Sequence, residues 1–137
     1  MSFKLLHSPK QQTTFFTFWI VFVSMSCWIH QDLFELAEIK EDTFTYSLVS
    51  LYLLFGLLSI GVLITILQVR KRNFDSVGMS FMVVTSLKII VCFLFVRPIL
   101  KSISATASIE KMNFFMLFIV FLAIETSITI LILNEKQ

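Results

Sequence analysis

Four long apolar stretches dominate this chain and fix what it can become. They fall at about residues 13–30, 47–69, 79–97 and 114–134. Each is close to the ~20 residues that cross a ~30 Å hydrocarbon core at ~1.5 Å rise per residue. None alternates with period two, as a barrel strand must. In lipid the backbone polar groups have to be satisfied within the segment, so each stretch is predicted to be a helix. The expected fold is all-α: a single polytopic membrane domain over residues 1–137, with four transmembrane helices in an antiparallel bundle. Composition agrees. Charged residues make up only 15% of the chain and hydrophobic ones 57%, where soluble domains carry ~25% charged residues. That leaves too little polar surface to cover a fold containing sixteen Phe residues, which excludes an ordinary soluble enzyme.

The first stretch follows Lys4 and Lys10, as the apolar part of a signal peptide would. Its run is long and no small-residue cleavage site follows, so it is expected to stay as a true span. The segments between spans differ in charge. Residues 30–43 hold Asp32, Glu35, Glu38, Glu41 and Asp42 against Lys40. Residues 70–78 open with Arg70, Lys71 and Arg72. Residues 97–113 hold Arg97, Lys101 and Lys111 against Glu110. Basic residues favour the cytoplasmic side. With both termini cytoplasmic, Lys4, Lys10, Arg70, Lys71, Arg72 and Lys136 lie inside, and Lys40, Arg97, Lys101 and Lys111 outside. Arg70, Lys71 and Arg72 are the topology-setting group, and they can also touch anionic headgroups. The third intervening segment runs against this orientation. Pro98 is expected to end or kink the third helix, because it lacks a backbone donor.

Polar residues along each span can be placed by the ~100° advance per residue. Thr13, Thr17, Ser24 and Cys27 form one stripe, and Ser47, Ser50, Gly61, Thr65 and Gln68 another. Gly78, Thr85, Lys88 and Cys92 form a third; Glu125 and Thr129 share a face of the fourth span. Ser26, Ser59, Ser86 and Ser127 miss these stripes. Small and hydroxylated stripes let membrane helices approach one another, and they can also line a water-filled path.

Lys88 and Glu125 carry the most information. A charge at the bilayer centre costs about 2.5–3.5 kcal/mol on insertion scales, so it faces the protein interior and finds a partner. Lys88 lies about 14 Å along the helix from Arg97, and Glu125 about 16 Å from Phe114. These matching depths on consecutive helices predict an ion pair, with Thr85, Cys92 and Thr129 as its supporting polar face. Three roles fit it: fixing the register of the last two helices, meeting a partner subunit's polar group, or relaying protons or ions. An adjacent ammonium holds a carboxylate ionised, which argues against Glu125 as a proton carrier.

Other features read as ordinary. Cys27 and Cys92 stand far apart, with neither metal spacing nor a CxxC, and are expected to be packing residues. His7 and His30 stand singly near the first span, and Trp19 and Trp28 are anchors or packing residues. The acidic segment 30–43 is expected to be solvated, although its carboxylates could collect cations. No Gly-rich phosphate loop, cofactor motif or nucleic-acid-binding module is evident.

SLKIIVCFLFVRPIL (residues 86–100), followed by NFFMLFIVFLAIETSITILILN (residues 113–134), resembles a family of small four-helix bacterial membrane proteins. That family is similar in size and layout to ATP synthase protein I, and its genes tend to lie beside those of the F-type ATP synthase membrane sector. Lys88 and Arg97-Pro98 match its third helix; Glu125 and the closing LILN match its fourth. The resemblance implies a bacterial inner-membrane protein that helps assemble the rotor ring or supplies cations to the synthase, with the synthase's membrane subunits as partners.

The expected function is therefore a non-enzymatic membrane accessory or assembly protein, surrounded by lipid and docked against a larger complex. The competing expectation is a small ion or proton-coupled transporter or channel, homo-oligomeric because four short helices enclose little volume, using Lys88 and Glu125. A membrane enzyme is the third, with no convergent catalytic set to carry it.

Overall fold

The computed structural model describes residues 9–134; Lys4, His7 and Lys136, used above for orientation and interfacial roles, lie outside the described residues. Four helices make up the fold: α1 (Pro9–Leu36), α2 (Leu48–Arg72), α3 (Val77–Lys101) and α4 (Ala107–Asn134). Single 3-10 turns occupy Glu41–Thr43 and Phe74–Ser76. The chain is all-helical, and each helix is long and apolar enough to cross a membrane. We read it on that basis as a multi-pass membrane protein.

The helices outrun the apolar stretches because local capping, not hydropathy, decides where they stop. α1 continues to Leu36, into the segment expected to be a connection. It ends in a Schellman motif: Ile39 N–H donates to Phe34 C=O at 3.0 Å and Glu38 N–H to Glu35 C=O at 3.1 Å. Glu38 takes the left-handed backbone, φ 53°, that glycine usually supplies. α2 starts at Ser47, whose hydroxyl accepts the Ser50 N–H at 3.3 Å. It ends on Arg70, Lys71 and Arg72, which complement the negative end of the helix dipole. Asn73 then bonds back to Val69 C=O at 2.8 Å and accepts the Asp75 N–H at 3.1 Å, turning the chain into α3 within four residues.

Of the end or kink expected at Pro98, the end does not occur there. α3 runs one turn further to Lys101, where Ser102 N–H donates to Ile99 C=O at 3.2 Å. Pro98 lacks the N–H that would reach the Leu94 carbonyl and its ring crowds that carbonyl, so the last turn of α3 continues without that hydrogen bond. α4 begins at Ala107, a full turn and more before the apolar run expected from residue 114.

α2 is the hub. It packs against both α3 and α4, which also pack against each other, whereas α1 touches mainly α2. Phe55 of α2 lies at the centre, with ring centroids 5.2 Å from Phe114 and 5.8 Å from Phe121 of α4. Each such aromatic pair adds about 0.5–1.5 kcal/mol beyond area burial. α1 buries a single residue, Trp19, whose ring meets Phe121 edge-on at 6.0 Å.

The expected polar faces divide. On α3 and α4 they turn inward: Lys88, Cys92, Glu125 and Thr129 are buried. On α1 and α2 they turn outward. Thr13, Thr17 and Ser24 are exposed, as are Ser50, Gly61 and Gln68. Thr13, Thr17 and Thr65 satisfy their hydroxyls on the carbonyl four residues back, so a hydroxyl can face outward without an unpaired donor.

Candidate functional site

Near the middle of α2, α3 and α4 three side chains meet. Lys88 Nζ lies 2.5 Å from Glu125 Oε1, as predicted from their depths. Ser59, which missed the polar stripe of its own helix, completes the site. Its hydroxyl donates to the same Glu125 oxygen and accepts from Lys88 Nζ at 3.3 Å. Ser59 and Glu125 are fully buried and Lys88 is 2% exposed, so the triangle is shut off from solvent.

The geometry assigns the hydrogens. Lys88 has no acceptor lone pair as an ammonium, so it donates to both oxygens, and Ser59 is left one hydrogen to give to Glu125. The carboxylate therefore accepts from both on Oε1. With an effective dielectric near 20, the ion pair is worth on the order of 6 kcal/mol of attraction. Taking two ions out of water costs several kcal/mol each, so the net contribution to stability is close to zero. What the triangle determines is geometry. A slip or rotation of α3 or α4 separates a buried charge from its partner, which costs about 3–5 kcal/mol, whereas a slip of α2 loses only the Ser59 hydroxyl, about 1–2 kcal/mol.

The expected supporting residues behave differently from one another. Cys92 sits one turn beyond Lys88 and packs in the apolar core. Thr129 Oγ1 donates at 2.9 Å to the backbone carbonyl of Glu125, steadying that turn without touching the pair. Thr85 Oγ1 and Glu125 Oε2 are buried with no hydrogen-bond partner. Arg70, Lys71 and Arg72 lie at the far end of α2 and take no part.

A second polar node sits near one end of the fold. Glu110, counted from sequence only as a charge in an intervening segment, is fully buried. Its Oε1 accepts from Thr45 N–H at 2.7 Å and Tyr46 N–H at 3.1 Å, and its Oε2 accepts from the Thr45 hydroxyl at 3.3 Å. The Thr43 and Thr106 hydroxyls meet at 2.5 Å beside it. Together these bonds tie the α1–α2 connection to the start of α4. A third node joins α1 to α2: the Tyr52 hydroxyl lies 3.1 Å from His30 Nδ1 and donates to Ser26 C=O at 3.4 Å.

Two of these nodes had a sequence signal. Glu110, Phe114, Leu117, Phe121 and Glu125 recur at intervals of three and four, the spacing of one helix face, and all are buried. Ser59 had only its position near mid-helix. Against known protein families, characterised proteins and solved structures, the chain matches none.

Proposed function

We propose that this protein is a non-enzymatic accessory or assembly factor of a larger membrane complex, built as an antiparallel four-helix bundle with both termini cytoplasmic. The observation that carries the reading is the closed Ser59–Lys88–Glu125 triangle. A carboxylate held by an ammonium and a hydroxyl, shut off from solvent, suits a clamp better than a moving carrier. The clamp makes α2, α3 and α4 one unit and leaves α1, with Trp19 as its one buried residue, free to present its face to a neighbour. The resemblance of residues 86–100 and 113–134 adds a specific partner, the membrane sector of the F-type ATP synthase, and with it a bacterial inner membrane.

The partner is tested by purifying the tagged full chain from its native membrane in mild detergent and identifying the subunits that stay bound. Recovery of synthase membrane subunits supports the reading. Recovery of the chain alone, together with ion flux after reconstitution into liposomes, overturns it in favour of a small oligomeric transporter or channel working through Lys88 and Glu125. One observation favours that second reading: Glu125 Oε2 and Thr85 Oγ1 are buried and unpartnered, which leaves sites for a bound water or proton. The orientation is tested separately, by labelling single cysteines placed at Asn73 and Ser102 with an impermeant thiol reagent. Labelling from outside is expected at Ser102 only.

A further inference from the structure

Three basic residues, Arg97, Lys101 and Lys111, fit neither the clamp nor the proposed orientation, which puts them on the non-cytoplasmic side. Their surroundings give them a use. An apolar groove of about 190 Å³ runs along the outer seam of α3 and α4. Ile89, Phe93, Val96 and Leu100 form one wall, and Phe114 and Phe118 the other. Phe114 is buried at its floor, whereas Ile89, Phe93 and Leu100 are about half exposed.

The cations crowd one end of this groove. Arg97 and Lys101 flank Leu100 at the end of α3, and Lys111 lies one turn before Phe114 and Phe115 at the start of α4. Five residues join these two helix ends, which brings all three cations within about one turn of one another along the helix axes. The nearest acid in sequence, Glu110, turns its carboxylate inward onto Thr45 and Tyr46. Among the described residues none of the three cations is paired with a carboxylate. An uncharged slot within the spans, opening on unpaired cations at their end, has the layout of a phospholipid: hydrocarbon below, phosphate above.

We infer that the α3–α4 groove and the Arg97, Lys101 and Lys111 cluster form a binding site for one anionic phospholipid, with an acyl chain along the groove and the headgroup phosphate on the cations. A free phosphate would leave the groove unused, and a zwitterionic lipid would bring its own cation to the cluster. The site does not depend on which complex the protein serves.

The test is native mass spectrometry of the full chain in mild detergent, titrated with phosphatidylglycerol and with phosphatidylcholine of the same acyl chains. The wild-type protein is expected to retain phosphatidylglycerol at least about five-fold better, roughly what one Lys or Arg gains from a headgroup of net negative charge over one whose phosphate is offset by choline. Arg97→Gln with Lys111→Gln should bring the two lipids level. Leu100→Trp, which fills the groove at its charged end, should weaken both. Arg70→Gln with Lys71→Gln should leave the preference intact, because those residues lie at the far end of α2. Equal retention of both lipids by the wild type overturns the site. So does loss of the preference in the Arg70 and Lys71 variant, which would mark general charge attraction. Full competition by glycerol phosphate would do the same, marking a soluble-anion site.

Discussion

Replacing Lys88 by Met leaves Glu125 with its charge, the Ser59 hydroxyl and no cation. Breaking one side of a buried pair costs about 3–5 kcal/mol. The loss in Lys88→Met is therefore expected within that range. Glu125→Met strands the ammonium instead and should lose a similar amount. The double variant Lys88→Met/Glu125→Met removes both charges, and Ser59 can then bond the carbonyl four residues back, as Thr65 does. It should fall within about 1 kcal/mol of the wild type. The assay is unfolding in mild detergent by added dodecyl sulfate, followed by far-UV circular dichroism. Single variants within about 1 kcal/mol of the wild type, or a double variant as unstable as their sum, would refute the clamp.

Ser59→Ala removes one of two donors to Glu125 Oε1 while Lys88 stays, so a loss of about 1–2 kcal/mol is expected in the same unfolding assay. Glu110→Ala frees the backbone N–H groups of Thr45 and Tyr46, which should exchange with deuterium faster. Its stability loss should be about 2–3 kcal/mol, while Glu110→Gln, which keeps an acceptor for both, should lose less. Tyr52→Phe deletes the polar link to His30 and Ser26. It should leave the α2–α4 core intact by circular dichroism and raise the thiol reactivity of Cys27 on α1.

The helices and the ion pair were legible in the sequence, for the same physical reason. Lipid offers no partner to backbone groups or to charges, so long apolar runs must be helices and mid-span charges must find each other. Lys88 and Glu125 could be matched by counting rise along two helices. The inward direction of the other faces was not legible. In water a buried face is marked by its lack of polarity, but in a bilayer both core and surroundings are apolar, and a hydroxyl can bond its own helix anywhere around the circumference. That is why Ser50 and Gly61, on the polar stripe of α2, face outward, and Ser59, off it, sits at the centre. Glu110 was missed because it lies outside the apolar run, although its spacing to Phe114 and Glu125 matched the buried side of α4. Pro98 removes one hydrogen bond from α3 without ending the helix, a difference that a missing donor alone does not foretell.

α4 carries both of its carboxylates inward, and they lie about 22 Å apart along its axis. Each is held by a different neighbour: Glu110 by the backbone entering α2, Glu125 by Lys88 and Ser59. Two widely spaced pins on one rod cancel piston travel and swivel together, since no single displacement re-engages both. Force delivered to this protein by a neighbour would therefore pass through α4 without being absorbed there, and compliance would be confined to α1.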